Sequence, residues 1–255
     1  MPSQTDRAAK FASLHIPGNP VVIYNVWDAG SAAAVALGGA KVIGTGSWSV
    51  AAAQGYPDGQ ALPLSLLEQV VGRIVATVEQ PVSVDFEGAY AAAPDAAAAN
   101  VARLIGLGVV GINFEDQVVD ADHVVYGIAE QSQRISAIRT MAATSLPGFF
   151  INARTDLFLH AGAERHAGLV DEAIERGRAY ADAGASGFFV PGLADAGLIG
   201  KVCAAVDLPV NVMTFPGVPD MAELRALNVA RVSHGPGPFR AIMAELTKRA
   251  QAVLG

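Results

Sequence analysis

Residues 82–115 read VSVDFEGAYAAAPDAAAANVARLIGLGVVGINFE, and they contain one complete strand–helix–strand unit. VSVDF at 82–86 and VVGINFE at 109–115 are short runs rich in Val, Ile and Phe, as strands are. Between them, residues 94–106 are rich in Ala and Leu, and Pro94 stands where the first turn of a helix tolerates proline. Two strands joined through a helix pair in parallel.

The same unit recurs in both directions along the chain. Further strands are predicted at 21–24, 41–45, 148–154, 186–190, 209–213 and 230–234, and further helices at about 29–38, 63–78, 130–143, 166–183, 194–205, 219–227 and 237–252. Gly108, Gly184 and Asn228 stand where a helix must stop in a left-handed residue before the next strand. Eight strands, each followed by a helix, predict an α/β fold: a (β/α)₈ barrel occupying residues 1–255 as a single domain. Nothing marks a linker, and the Ala runs at 32–34, 51–53, 91–93 and 96–99 carry no functional information.

Composition agrees with this architecture. The 255 residues are 52% hydrophobic and 16% charged, enough apolar surface for a large core and too little charge for a disordered chain. Seventeen Lys and Arg against 24 Asp and Glu leave a net charge of −7, without a basic run to track phosphates, so nucleic acid is not an expected partner. The lone Cys203 suits a reducing compartment, and no apolar stretch reaches the ~18 residues of a membrane span. A soluble, cytoplasmic protein is expected.

Barrel enzymes build their sites at the carboxyl ends of the strands, and there the polar residues of this chain gather. Asp58 follows strand 2, Asp85 and Glu87 end strand 3, Glu115 ends strand 4, Arg154 and Asp156 end strand 5, Asn211 and Thr214 mark strand 7, and His234 ends strand 8. Strand alternation would turn Asp85 and Glu87 to one side and Phe86 to the other, and would put Asn113 with Glu115. Four converging carboxylates, Asp58, Asp85, Glu87 and Glu115, would repel unless a cation relieved them. Oxygen-only ligands favour Mg²⁺ or Mn²⁺ over Zn²⁺. Asp58 alone is equally well explained as a turn residue, and Asp28, directly before an Ala-rich helix, reads as an N-cap. Arg154 is placed to bind a carboxylate or phosphonate in bidentate fashion or to pair with a neighbouring acid, and Thr45, Gly46 and Ser47 of GTGS offer backbone N–H groups to an anion.

NVWDAGSA at 25–32, GYPDG at 55–59, VDFEGAY at 84–90, GINFEDQ at 111–117, INARTD at 151–156 and PVNV at 209–212 resemble, in order along nearly the whole chain, the phosphoenolpyruvate mutase/isocitrate lyase superfamily. The resemblance implies a Mg²⁺-dependent (β/α)₈ enzyme that makes or breaks C–C or P–C bonds of a 2-oxo or 2-hydroxy carboxylate. It implies Asp85 as principal metal ligand with Asp58, Glu87 and Glu115 reached through water, Arg154 and the Thr45–Ser47 backbone on the substrate, and Asn211 at its far end. It also implies a homodimer or homotetramer that exchanges the last helix. One departure stands out: after EDQ the lyases carry a Cys-bearing loop and the mutases and hydrolases a Lys with Asn or Thr, whereas this chain reads VVDADHVVYG at 118–127. His123 and Tyr126 are the proton donors that loop could supply, and His234 is another. The leading expectation is therefore a metal-dependent lyase working through a pyruvate-type enolate. A phosphonopyruvate-type P–C enzyme and a non-catalytic oxo-acid-binding protein are the alternatives.

Overall fold

The computed structural model describes residues 2–118, 121 and 124–255. In chain order the elements are α1 (Gln4–Ser13), β1 (Val21–Ile23), α2 (Ala29–Leu37), β2 (Ile43–Gly44), α3 (Ser47–Ala53), α4 (Leu64–Thr77), β3 (Val82–Asp85), α5 (Pro94–Gly106), β4 (Gly111–Glu115), α6 (Ile128–Ser145), β5 (Phe150–Arg154), α7 (His166–Asp182), β6 (Gly187–Phe189), α8 (Ala196–Ala205), β7 (Val210–Met213), α9 (Met221–Ala226), β8 (Arg231–Ser233) and α10 (Gly237–Leu254). All strand pairs are parallel and the sheet runs β1-β8-β7-β6-β5-β4-β3-β2. A single parallel bridge, Val26 to Thr45, joins the two ends and brings the sheet round to a barrel.

All eight expected strands are present, each shorter than the apolar run that announces it. Gly108, Gly184 and Asn228 have positive φ, Pro94 opens α5, and the Asp28 carboxylate caps α2 by accepting from Ser31 N–H at 2.7 Å. Two helices were not anticipated. In α1 a reciprocal cap between Ser3 and Asp6 fixes the start, and α3 lies in what reads as a loop after β2 because SWSVAAA has no capping side chain to announce it.

Alternation along the strands divides the residues cleanly. Val84, Ile112 and Ile151 stand in register on β3, β4 and β5, face the helix layer and are fully buried, so Ile112→Ala would cost about 2–5 kcal/mol. Asp85, Asn113 and Asn152 form the adjacent inward row, followed by Glu115 and Arg154. Phe11 of α1 meets Phe150 edge-on at 5.2 Å and His15 stacks on the same ring at 4.1 Å, closing the amino end of the barrel.

The last helix behaves differently. Only Pro238 of α10 is buried, and Ile242, Leu246, Val253 and Leu254 are exposed. On β1 and just after it Val22 and Tyr24 are also exposed, beneath a groove of about 1040 Å³ lined by Val22, Tyr24, Trp27, Ala34, Val35 and Ile242. Among the described residues no helix is long and apolar enough to cross a membrane.

Candidate active site

Asp85 ends β3, where its carboxylate accepts from Ser47 N–H and from Asn113 Nδ2, both at 3.1 Å. Glu87 reaches the same mouth by another route than the expected strand alternation. β3 stops at Asp85, and Glu87, Ala89 and Tyr90 take left-handed backbone with φ of 50°, 60° and 56°. Such a run of non-glycine residues is strained. It is held by the buried Arg134, which donates to Gly88 O at 2.7 Å and Ala91 O at 2.9 Å while stacked between the rings of Phe114 and Tyr126. The Glu87 carboxylate accepts from Gly59 and Gln60 N–H at 3.0 and 2.8 Å, which pins the loop that carries Asp58. Glu115 ends β4, buried, 2.9 Å from Arg154 Nη1.

These acids feel one another. Burial, and after it the Asp58 charge, push Glu87 up to about 8. Partial desolvation beside Asp85 raises Asp58, although that residue stays exposed at the rim. Glu115 is raised as well, by burial that the nearby Arg154 only partly offsets. Asp58, Asp85, Glu87 and Glu115 thus lie near enough for their charges to act on one another.

Arg154 is the cation that faces them. Burial works against its charge, but Asp156, Glu115 and Asp85 hold it firmly protonated. Its Nε and Nη2 grip Asp156 at 2.5 and 2.8 Å, so the bidentate edge expected for substrate is engaged by an acid of the same strand end, leaving Nη1 toward Glu115 and, at 3.7 Å, Asp85. Behind Asp156 stands a support that sequence reading missed. Asp116 accepts from Asp156 N–H at 3.0 Å, from Tyr180 OH at 2.8 Å and from Arg176 at 3.2 Å. Burial, then the charge of Asp156, raise Asp116 to about 6. Asp116 and Asp156 are visible in the sequence as strand-end acids, but the side-chain partners of Asp116 lie on α7, 60 or more residues away.

Most of the remaining expected residues are engaged within the protein. Thr45 and Gly46 give their N–H groups to Ser83 O and Val26 O, and Ser47 gives its own to Asp85, so this backbone can receive a substrate carboxylate only where those bonds yield. Asn211 is wholly buried: its Nδ2 donates to Val212 O, Arg231 O and Ser233 Oγ, and its Oδ1 accepts from Asn152. It lies inside the barrel wall rather than open at the mouth. His234 contacts Thr214 Oγ1 at 3.1 Å and the Tyr24 ring, on the β7–β8–β1 side, and burial lowers its pKa. His123, with Asp120 and Asp122, lies outside the described residues. Tyr126 stands at the foot of that loop and donates its N–H to Asp116 O at 2.7 Å.

The donor set fits a hard divalent cation. Three of the four acids are raised by burial and mutual charge, and Arg154 is the guanidinium in contact with them. A further positive charge would relieve them. Among the described residues no three of these side chains close tightly enough to hold an ion unaided, so water would complete the shell, as it commonly does for Mg²⁺.

Comparison with known proteins places this arrangement. A Burkholderia cenocepacia structure, assigned only provisionally as a phosphonomutase, is 43% identical over 98% of this chain and 99% of its own, with a TM-score of 0.95. The 2-methylisocitrate lyase of Escherichia coli is 29% identical over 90% of this chain and 82% of its own. Phosphonopyruvate hydrolase, solved with oxalate and Mg²⁺, shares the fold at 20% identity and a TM-score of 0.83, covering 100% of this chain and 89% of its own. The family profile described as phosphoenolpyruvate phosphomutase matches residues 11–254, and the chain belongs to that family, within the phosphoenolpyruvate mutase/isocitrate lyase superfamily that its motifs resemble.

Proposed function

We propose that this protein is a Mg²⁺- or Mn²⁺-dependent lyase of a small 2-oxo or 2-hydroxy carboxylate, cleaving a C–C bond or decarboxylating through a pyruvate-type enolate. The observation that carries the reading is the meeting of Asp58, Asp85, Glu87 and Glu115 opposite Arg154 at the carboxyl end of the barrel. A bound divalent cation would supply Lewis-acid polarisation of the substrate carboxylate and 2-oxygen. Asp85 and its three neighbours would hold it. Arg154, oriented by Asp156, presents Nη1 to the negative charge that grows on the substrate as the bond breaks. Ser47 N–H would pass from Asp85 to the substrate carboxylate. Proton delivery then falls to His123 in the 118–127 loop or to His234.

Activity on carbon rather than phosphorus is favoured by that loop, which carries acids and lacks the Lys and the Asn or Thr of the mutase and hydrolase branches. The same loop lacks the lyase Cys, the one observation that supports a protein which binds oxo-acids without turnover. Release of pyruvate or glyoxylate from candidate acids, with and without Mg²⁺, tests the reading. Metal-dependent binding with no turnover on any acid would select the binding protein.

The exposed apolar stripe of α10 and the uncovered groove over β1 support a homodimer or homotetramer in which α10 covers the groove of a neighbouring copy. A reducing, cytoplasmic setting suits Cys203, whose thiol burial pushes up to about 12.

A further inference from the structure

Beneath the acids lies an arginine that the fold does not explain. Arg231 points inward from β8 at 1% exposure, and among the described residues it forms no ion pair. Other arginines drawn into this structure have evident structural work. Arg134 holds the carbonyls of Gly88 and Ala91, Arg139 those of Gly184 and Phe149, and Arg176 binds Asp116 and Tyr126 O. Among the described residues Arg231 donates instead to a single side chain, Asn113 Oδ1 at 3.1 Å, and its Nε and Nη1 have no partner there.

A buried charge of this kind costs stability, and replacing one by an apolar side chain of similar volume is often neutral or stabilising. The cost is visible in its surroundings. Burial lowers Arg231 itself to about 10, with the Asp85 charge acting in the opposite sense, and burial together with the Arg231 charge drives His15 down to about 3.

What Arg231 does touch leads straight to the site. Asn113 Oδ1 accepts from Arg231 and, at 2.9 Å, from Asn152 Nδ2, which fixes the amide with its oxygen toward both donors. Its Nδ2 is thereby aimed at Asp85 Oδ1. The contacts form one line, from Arg231 through Asn113 to Asp85.

We propose that Arg231 is a positioning residue: through Asn113 it fixes the donor that orients Asp85, and it sets a second positive charge behind the carboxylates that favours a dianionic ligand at the mouth. This rests on the metal and oxo-acid reading above. Arg154 meets the ligand from the side and Arg231 acts from below without touching it.

The experiment uses the full-length protein with saturating Mg²⁺ and oxalate, a planar dianion shaped like the enolate of pyruvate, followed by calorimetry and by thermal unfolding without ligand. Arg231→Met should unfold at or above the wild-type temperature yet bind oxalate about tenfold more weakly or worse. Arg231→Lys, which keeps the charge, should recover most of the loss. Arg231→Gln, polar but neutral, should bind as weakly as Arg231→Met. Wild-type oxalate affinity in a folded Arg231→Met or Arg231→Gln overturns the proposal, as does loss of folding in both, which would make the charge a structural necessity. Lysine no better than methionine also overturns it. Failure of the wild-type protein to bind oxalate with Mg²⁺ would instead remove the reading on which the proposal stands.

Discussion

The barrel mouth between β2 and β5 and the groove over β1 depart from an ordinary protein surface in opposite ways. At the mouth, Asp58, Asp85, Glu87, Glu115 and Asp156 crowd around Arg154, more acids than one guanidinium can hold ionised. Over β1, Val22 and Tyr24 meet solvent beside an α10 whose apolar residues do the same. The first region is short of positive charge and the second of apolar cover. A fold retains such features where something outside the single chain compensates them, and the chemistry of each region suits the compensation proposed for it: a cation and an anionic substrate at the mouth, a second copy at the groove.

The comparison breaks first at Asp85. Asp85→Ala should lower turnover by roughly 10²–10³-fold and abolish Mg²⁺-dependent oxalate binding, because it removes an acid that meets Asn113, Ser47 and, at 3.7 Å, Arg154. A variant that keeps the Mg²⁺-dependent thermal shift with oxalate present would show that the ion binds elsewhere.

Arg154→Met strikes the mouth through its balance of charge. It leaves Asp156 and Glu115 without their partner in a buried place, so chemical denaturation should show a loss of about 3–5 kcal/mol. Unchanged stability would mean that the acids are neutralised by protonation rather than by the guanidinium.

Proton delivery separates the 118–127 loop from the β7–β8 side. His123→Gln should cut turnover by about 10² or more with oxalate affinity retained, as loss of a general acid does. His234→Gln should cost less than roughly tenfold, since burial keeps its ring neutral near pH 7 and Thr214 already engages it. The reverse ranking would move the proton donor to β8.

Acid titration sharpens the same contrast. Glu87, at about 8, and Glu115, also raised, hold protons in the folded protein that an unfolded glutamate releases near pH 4.5. The folded state therefore binds more protons across that interval, and without metal its stability should fall as pH rises from about 5 to 8. The slope is at most about 1.4 kcal/mol per pH unit for each proton. Saturating Mg²⁺ should flatten the slope, because a cation replaces the protons. Unfolding temperatures against pH, with and without Mg²⁺, measure this directly, and a rise between pH 5 and 8 in the metal-free protein would contradict it.

At the groove the smallest perturbation suffices. Ile242→Glu on α10 should leave the monomer fold intact and shift sedimentation toward monomer at micromolar concentration, since Ile242 is exposed and lines the groove. No change would mean that a different surface makes any oligomer.

Periodicity made the barrel legible. Strands buried on both faces stand out as Val/Ile/Phe runs, and turn residues such as Gly108 and Asn228 mark where each helix must stop. α3 escaped because its start has no side-chain cap, and α1 because its polar opening carries no apolar run and it buries only Ala8 and Phe11. The acids were legible as strand-end residues, but how Glu87 arrives was not, because a run of left-handed non-glycine residues leaves no trace in an alternating pattern. Hidden most completely were Arg134, Arg176 and Arg231. The distant hydrogen-bond partners of these three lie 43 to 118 residues away, and an isolated arginine in a helix or short strand reads as surface until the fold shows what it faces.

The single bridge between Val26 and Thr45 has a consequence for the chain as it is made. β1 finds its ladder only with β8, Val21 opposite Arg231. At typical synthesis rates of about 5–20 residues per second, that partner follows β1 by roughly 10–40 s. Throughout that interval a growing chain carries an apolar strand edge with nowhere native to dock. Residues 231–254 deliver β8 and α10 together, so barrel closure and the helix that carries the exposed apolar stripe emerge within one short stretch of chain.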